Sequence, residues 1–225
     1  MQIIDLTHLI SPDMPVYPGT EPPRFSRANS YEEDGFQETL LTMYSHTGTH
    51  MDPPAHLFAG RSTLDRLPVS QFVGSALVVD CSWLQAGQKI TMELLRGGRG
   101  AADRLDRAEF LLFHTGWDRY WGTPEYFGDY PCIDSQVADY LLQSGKKGVG
   151  LDTIGLDPIA DANLTLHRQL FRSQDIVVME NLTNLQLVGE ELFTLCALPL
   201  RHVEADGSPI RAIAILEEPA RQCAR

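Results

Sequence analysis

Three histidines and one aspartate lie within eleven residues of this chain, at His46, His50, Asp52 and His56. Neutral imidazole and carboxylate groups are ligands of zinc, manganese and iron, and a mixed set does not distinguish these metals. Three protein ligands and one open position are typical of a catalytic site, where a bound water can reach a pKa of about 7 and supply hydroxide. The stretch SHTGTHMDPPAH therefore predicts half of a catalytic metal site, in preference to a polar surface turn.

The spacing of these four residues favours an extended backbone over a helix. All four are at even positions, so they share one face as long as the chain stays extended. A helix is disfavoured because Gly48 lies between the first two histidines and Pro53 and Pro54 follow directly. We expect the segment FQETLLTMYSHTG to be a strand that ends in a rigid loop.

Two residues far along the chain could complete a second metal position. His167 is a polar residue in the otherwise apolar helical segment ADANLTLHRQLFRS, and Glu180 ends the apolar segment DIVVMENL. A carboxylate at the end of a buried strand must be paired, bound to a metal or left in water. The pattern alone leaves these alternatives open. Of the other histidines, His8 and His114 are expected in the core or beside the ligands.

The elements around these residues indicate an α/β fold with a mainly β core. Short runs rich in apolar and β-branched residues predict buried strands, and periodic runs that end at glycine predict helices. The predicted strands are MQIIDLT, GSALVVDCS, AEFLLFHTGW, GVGLDT, DIVVMENL, LFTLCALPL and SPIRAIAIL, and the clearest helix is DSQVADYLLQSG. A shorter helix, TMELLRGG, begins after a Thr91 cap. No linker or repeat is visible, so we expect a single domain over residues 1–225.

The segment HTGTHMDPPAH resembles the signature H-x-G-T-H-x-D-x-P-x-H of the cyclase family of metal-dependent hydrolases, which includes the bacterial kynurenine formamidases and the isatin hydrolases. The likeness extends along nearly the whole chain, through IIDLTHLISPDMPVYPG, LLFHTGW, GVGLDT, VVMENLTNL and DGSPIRAIAI. It implies a swivelling β/β/α domain assembled as a homodimer or homotetramer.

The resemblance also implies a role for each site residue. His46, His50 and Asp52 match the ligands of a first metal, with Asp52 bridging to a second metal, and His167 and Glu180 match the second metal's ligand and the other bridge. The cation implied is Zn²⁺, one or two per chain, with Mn²⁺ as the alternative. His56 matches the family's proton donor and acceptor rather than a ligand.

Tyr17, in MPVYPG, takes the position where related formamidases have an aromatic residue, typically tryptophan, against the substrate. A tyrosine keeps the aromatic face and adds a hydroxyl group. We therefore expect Tyr17 to bind substrate, although the residue type departs from the formamidase pattern.

Composition restricts the partners and the compartment. The net charge of −12 argues against nucleic acid and against an anionic membrane surface. No stretch is long and apolar enough for a membrane span, and the N-terminus does not resemble a signal peptide. The four separated cysteines, Cys81, Cys132, Cys196 and Cys223, predict free thiols. We expect a cytoplasmic protein whose partner is a small-molecule amide.

The predicted function is metal-dependent hydrolysis of a small amide at a C–N bond other than a peptide bond, as in kynurenine formamidase. Attack by metal-bound hydroxide and proton transfer by His56 would carry the reaction. The alternatives are hydrolysis of a cyclic amide, imide or lactone, as in isatin hydrolase, and a non-catalytic metal-binding homologue. Degraded sites typically lose at least one ligand, and every expected residue is present here.

Overall fold

A computed structural model describes residues 1–97 and 101–217 of the chain, and Cys223 lies outside these ranges. The strands are β1 (Gln2–Asp5), β2 (Arg24–Asn29), β3 (Glu38–Thr42), β4 (His50–Asp52), β5 (Val73–Asp80), β6 (Lys89–Ile90), β7 (Phe110–His114), β8 (Cys132–Ile133), β9 (Gly148–Leu151), β10 (Val177–Glu180), β11 (Phe193–Pro199) and β12 (Ser208–Leu216). The helices are α1 (Tyr31–Asp34), α2 (Met92–Arg96), α3 (Ala101–Arg107), α4 (Ser135–Gln143) and α5 (Thr165–Phe171).

The main sheet closes on itself. Its order is β1-β12-β11-β5-β7-β9-β10-β4, and β4 also pairs with β12, so seven strands form a ring and β1 extends it along β12. The run from β5 through β7 and β9 to β10 is parallel, and the other pairs in this sheet are antiparallel. Closure removes the exposed edges of these seven strands. The predicted α/β fold with a mainly β core is confirmed.

Alternation along the buried strands divides the core into two clusters. In β7, Phe110 and Leu112 belong to one cluster, while Leu111 and Phe113 belong to the other. The first cluster takes side chains from β4, β5, β10, β11 and β12 and fills the inside of the ring. The second is covered by α4 and α5, which contribute Val137, Leu141, Leu166, Leu170 and Phe171. Strand side chains point to opposite faces in turn, so one apolar run serves both clusters.

The helix ends follow local capping chemistry. The Thr91 side chain accepts a hydrogen bond from the Leu94 N–H at the start of α2, which confirms the predicted cap. Asp134 caps α4 in the same way through the Val137 N–H. By contrast, α5 begins at Thr165, later than the predicted segment, because Leu164 has a positive φ of 50°.

The expected single strand through His46 is wrong. β3 ends at Thr42 and pairs with β2 alone in a separate two-stranded sheet, while β4 begins at His50. Gly48 lies between the two strands with a φ of +65°, a left-handed conformation that breaks an extended run. His46 therefore lies in a loop, and only His50 and Asp52 share the face of one strand.

Within the described ranges, none of the helices is both long and apolar enough to cross a bilayer.

We expect Gly150→Ala to lower the free energy of unfolding by about 1–3 kcal/mol, the range for overpacking a buried site. A Cβ at Gly150 would lie 2.7 Å from side-chain carbons of both Leu112 and Leu182, inside the ring. Urea unfolding of the two proteins measures the difference. The matched control is Gly97→Ala, at an exposed position with a φ of −72°, where a Cβ would meet only the Glu93 and Leu94 carbonyl oxygens at 3.3 and 3.6 Å and a smaller change is expected. Equal effects of the two substitutions would contradict the packing argument.

Candidate metal centre and substrate pocket

Five potential metal-binding side chains meet at one cavity of about 680 Å³. The antiparallel register of β4 and β10 places Glu180 opposite His50, and α5 brings His167 to the same place. Asp52 follows on β4, and His46 reaches the cavity from the loop before that strand. The fold thus joins the N-terminal motif to two residues that lie more than a hundred positions away.

The two carboxylates lie between the three imidazole rings. Asp52 Oδ1 is 2.6 Å from His46 Nδ1 and 3.3 Å from His50 Nε2, and its Oδ2 is 3.5 Å from His167 Nε2. Glu180 lies 3.4 Å from His50 Nε2 through Oε2 and 3.3 Å from His167 Nε2 through Oε1. Each carboxylate therefore contacts more than one histidine of the centre.

Hydrogen bonds at the other ring nitrogens orient two of these histidines. His50 Nδ1 donates to the Gly48 carbonyl at 2.8 Å, and His167 Nδ1 donates to Asp157 Oδ2 at 2.7 Å. In both rings the Nε2 atom then faces the carboxylates. Metal-binding histidines are held in this way in proteins, by a carbonyl or carboxylate at the second nitrogen.

The centre fits a divalent cation on its own geometry. His167 Nε2 is buried and makes no hydrogen bond, although the Asp52 and Glu180 carboxylates are close. Donor atoms of His50, Asp52 and Glu180 all lie within 4.8 Å of one another, and the three residues are buried. Imidazole and carboxylate donors of this kind suit zinc and manganese.

Electrostatics within the centre favour ion pairs. Burial opposes charge on His50, but the Asp52 and Glu180 carboxylates outweigh it and raise the pKa of His50 to about 9. The pKa of His167 is likewise raised against burial, by Asp157, Asp52 and Glu180. Burial would raise the pKa of Asp52, yet His46 and His50 hold it well below the usual range. A cation that binds these histidines must displace their protons, so its uptake is expected to improve as the pH rises.

His56 lies at the same centre but belongs to a different element. It ends a 3₁₀ helix, Pro54–His56, that follows β4, and its ring centroid is 4.1 Å from that of His46. Burial, helped by the charges of His46 and His167, lowers the pKa of His56. Donor atoms of His46, Asp52 and His56 also lie within 4.8 Å of one another. Its role as the proton donor and acceptor stays a prediction.

Tyr17 lines the same cavity as the polar centre. Tyr17 is 39% exposed, and its partial burial together with the Glu180 and Asp157 carboxylates raises the pKa of its hydroxyl. Apolar side chains form the walls beside it: Val16, Ile154, Ile159 and Leu164. The cavity therefore combines an apolar wall that suits a ring with a polar centre, and contact of Tyr17 with substrate stays a prediction.

Thr47 and Thr49 of the motif, and His8 and His114, are not among the five side chains of the centre. Thr47 donates to the Tyr44 carbonyl and Thr49 to the Asn181 carbonyl, so neither hydrogen-bonds the Asp52 carboxylate. His8 stacks on Trp121, with ring centroids 3.8 Å apart. His114 forms another group with Asp118 and Asp152, in which Asp152 accepts hydrogen bonds from Thr115 and Gly116.

Three residues that contact the centre were not predicted from the sequence: Asp157, Asn181 and Asp206. Asp157 orients His167, and Asn181 donates to the Gly48 carbonyl at 2.9 Å, beside the bond from His50. Asp206 lines the cavity, with its Oδ2 3.5 Å from His46 Nε2. The signal for Asn181 was its place directly after Glu180. The two aspartates lie in loops, where a carboxylate has no local pattern that separates it from a solvated one.

We expect Asp157→Asn to weaken metal binding by about 10–100-fold, the range for loss of an outer hydrogen-bond partner of a metal-binding histidine. The Asp157 carboxylate accepts from His167 Nδ1 and from the backbone N–H groups of Leu166 and His167. Competition with a chelator of known affinity measures the change. Asp161→Asn is the control. The Asp161 carboxylate accepts hydrogen bonds from the backbone N–H groups of Asn163 and Thr165 and makes none with His167 in the described contacts. Equal metal affinity of both variants would contradict the orienting role.

Comparison with known proteins gives one consistent picture. Residues 4–158 match the family model Cyclase, described as "Putative cyclase". Kynurenine formamidase of Bacillus thuringiensis (strain Al Hakam) is 34% identical over 213 residues, which cover 93% of this chain and 95% of that protein. The kynurenine formamidase of Bacillus mycoides is 34% identical over 215 residues, with 94% and 96% covered.

Solved structures show the same similarity. Isatin hydrolase A from Labrenzia aggregata superposes with a TM-score of 0.85 at 25% identity, covering 96% of this chain and 94% of that one. A structure described as a potential metal-dependent hydrolase with cyclase activity gives a TM-score of 0.72 at 26% identity, covering 97% and 99%.

Proposed function

The chain belongs to the cyclase family, and on that premise we propose that it is a metal-dependent hydrolase of a small amide, with an activity like that of kynurenine formamidase. The bond cleaved is a C–N bond other than a peptide bond. The relatives named kynurenine formamidase, matched along 93% of the chain, support this reaction class.

The observation that carries the proposal is the meeting of three imidazoles and two carboxylates beside an apolar wall. His46, His50, Asp52, His167 and Glu180 would hold a divalent cation, Zn²⁺ or alternatively Mn²⁺. Such a cation polarises a carbonyl oxygen and lowers the pKa of a bound water to near 7. The carboxylates of Asp52 and Glu180 offset its positive charge.

The remaining side chains bind substrate and move the proton. Tyr17 and the walls around it would hold an aromatic ring and exclude water from it. His56 would take the proton of the attacking water and give it to the leaving nitrogen, a task that suits an imidazole. Asp157 holds His167 in one orientation throughout.

A second candidate is hydrolysis of a cyclic amide, imide or lactone. The observation that favours it is the similarity to isatin hydrolase A over nearly the whole chain. Both reactions use the same polar centre and differ in the ring that the pocket must hold. The non-catalytic alternative is disfavoured because every expected side chain reaches one cavity.

The test is an activity screen after metal reconstitution. Protein stripped with a chelator is loaded with Zn²⁺ or Mn²⁺, its metal content is measured, and N-formylkynurenine and isatin are assayed side by side. Hydrolysis of the formamide in preference to isatin supports the first proposal, and the reverse supports the second. Bound metal without hydrolysis of any amide, imide or lactone would favour the alternative that the protein is a non-catalytic metal-binding homologue. Sedimentation of the same samples tests the predicted homodimer or homotetramer.

A further inference from the structure

The charges of the pocket are unevenly distributed. Four carboxylates line it, at Asp52, Asp157, Glu180 and Asp206, whereas no lysine or arginine does so among the residues that the structure describes. A substrate carboxylate would therefore meet no lysine or arginine among these lining residues. Any counter-charge for it would have to come from the metal centre.

Three of the four carboxylates are deeply buried and already engaged. Asp52 lies among three histidines. Glu180 contacts His50 and His167 and accepts a hydrogen bond from the Leu156 N–H. Asp157 accepts hydrogen bonds from His167 and from the backbone N–H of Leu166 in the same helix. Their charge is used to hold the centre together. They do not offer a free carboxylate to a ligand.

Asp206 differs in both exposure and position. Its side chain is 55% exposed, and it lies on the loop before β12, where its Oδ2 is 3.5 Å from His46 Nε2. The loop can approach the His46 ring closely because the next residue is Gly207, where a Cβ would overlap that ring. The fold therefore presents one accessible negative charge beside the metal-binding residues.

The walls of the cavity provide the apolar contacts that a bound ligand would make. Val16, Ile154, Ile159 and Leu164 offer apolar contacts, and Tyr17 offers an aromatic face. A ligand that matches this surface has an uncharged ring body and a positive group at the Asp206 side. A ligand with a negative group in that place would be repelled.

We propose that Asp206 is a specificity-determining residue that favours aromatic amides with an ammonium group beside the ring and disfavours those with a carboxylate there. This inference rests on the proposed function and names the substrate class within it. Since the carboxylate is half-exposed, its contribution to kcat/KM is roughly two- to fivefold for each substrate charge. The preference for ammonium over carboxylate should therefore change by roughly 4- to 25-fold when the charge is removed.

The experiment compares three formanilides that differ at one meta position, where they carry an aminomethyl, a hydroxymethyl or a carboxylate group. The variant is Asp206→Asn, and the matched control is Glu204→Gln, which removes the same charge from an exposed residue of the same loop outside the pocket lining. Because each substrate is compared between proteins, its intrinsic reactivity cancels.

In Asp206→Asn we expect kcat/KM, taken relative to the hydroxymethyl compound, to fall for the aminomethyl compound and to rise for the carboxylate. The differences should shrink as the salt concentration rises, since screening weakens an exposed pair. Glu204→Gln should leave the three ratios unchanged. Metal content is measured in parallel and should match the parent protein.

Any of three results in Asp206→Asn would overturn the inference: an equal change in kcat/KM for all three formanilides, no change in kcat/KM for any of them, or loss of the metal. The last result would instead make Asp206 a positioning residue for His46. Binding of the corresponding methyl ketones, which cannot be hydrolysed, is measured by calorimetry on the metal-loaded protein. If no amide is hydrolysed but the ketones show the same charge pattern, the proposed function is wrong and only the charge preference of Asp206 for bound ligands stands. Ketones without that pattern overturn the inference.

Discussion

Replacing His56 by alanine is expected to lower kcat by roughly 10²–10⁴-fold, the usual contribution of a positioned general acid or base, while the metal content is unchanged. His56 ends a 3₁₀ helix beside the centre, with its ring 4.1 Å from that of His46 and 6.1 Å from that of His167 by centroids. Removing the imidazole deletes a proton carrier and leaves the five proposed ligands in place. Steady-state kinetics and metal analysis on the same sample measure both quantities.

The matched control for this experiment is His202→Ala, because His202 is an exposed histidine outside the pocket lining. Added imidazole should restore part of the activity of His56→Ala, since the small molecule can enter the space left by the ring. A variant with more than a tenth of the parent kcat would remove His56 from proton transfer. A variant that has lost its metal would show that His56 is a ligand, a position that its distance to His46 and Asp52 also permits.

Asp52→Asn is expected to remove both the metal and the activity. Loss of an outer partner of a ligand weakens a metal site by about 10–100-fold, so loss of a central ligand should exceed about 100-fold. Asp52 contacts all three histidines of the centre, at distances from 2.6 to 3.5 Å. Metal content after dialysis and kcat/KM should therefore fall together.

The same substitution should destabilise the metal-free fold. Asp52 is 2% exposed, and without its charge the histidines that it pairs with are left partly uncompensated. Removing one partner of a buried ion pair typically costs about 3–5 kcal/mol. Urea unfolding measures this loss, with Asp103→Asn as the control, because Asp103 pairs only with Arg107 at the surface in the described contacts. Full metal retention by Asp52→Asn would exclude Asp52 as a ligand.

The sequence alone determined much of the secondary structure. The apolar runs that became β5, β7, β9, β10, β11 and β12 were visible because a buried strand must be apolar whatever its neighbours are. The cap at Thr91 was also visible, since capping depends on residues three positions apart. β3 lies within the segment FQETLLTMYSHTG that was predicted as a strand, but its partner β2 and the turn at α1 were not predicted, because these short and exposed elements carry little apolar pattern.

Tertiary structure alone decided how the centre is built. The motif itself brings His46, His50, Asp52 and His56 close along the chain, and its resemblance to a family pointed to His167 and Glu180. The pairing of β4 with both β10 and β12 is a contact across more than a hundred residues, which no local pattern encodes. That pairing closes the ring and sets Glu180 opposite His50.

The positions of the two loop carboxylates could not be predicted from local sequence patterns either. Asp157 and Asp206 look in the sequence like any solvated aspartate, and they differ from one only through what the fold places beside them. Residue types and short spacings therefore determined which chemistry this chain can perform. The fold decided which charged groups lie beside the metal-binding residues, because the energy of a carboxylate depends on its neighbours in space rather than on its neighbours along the chain.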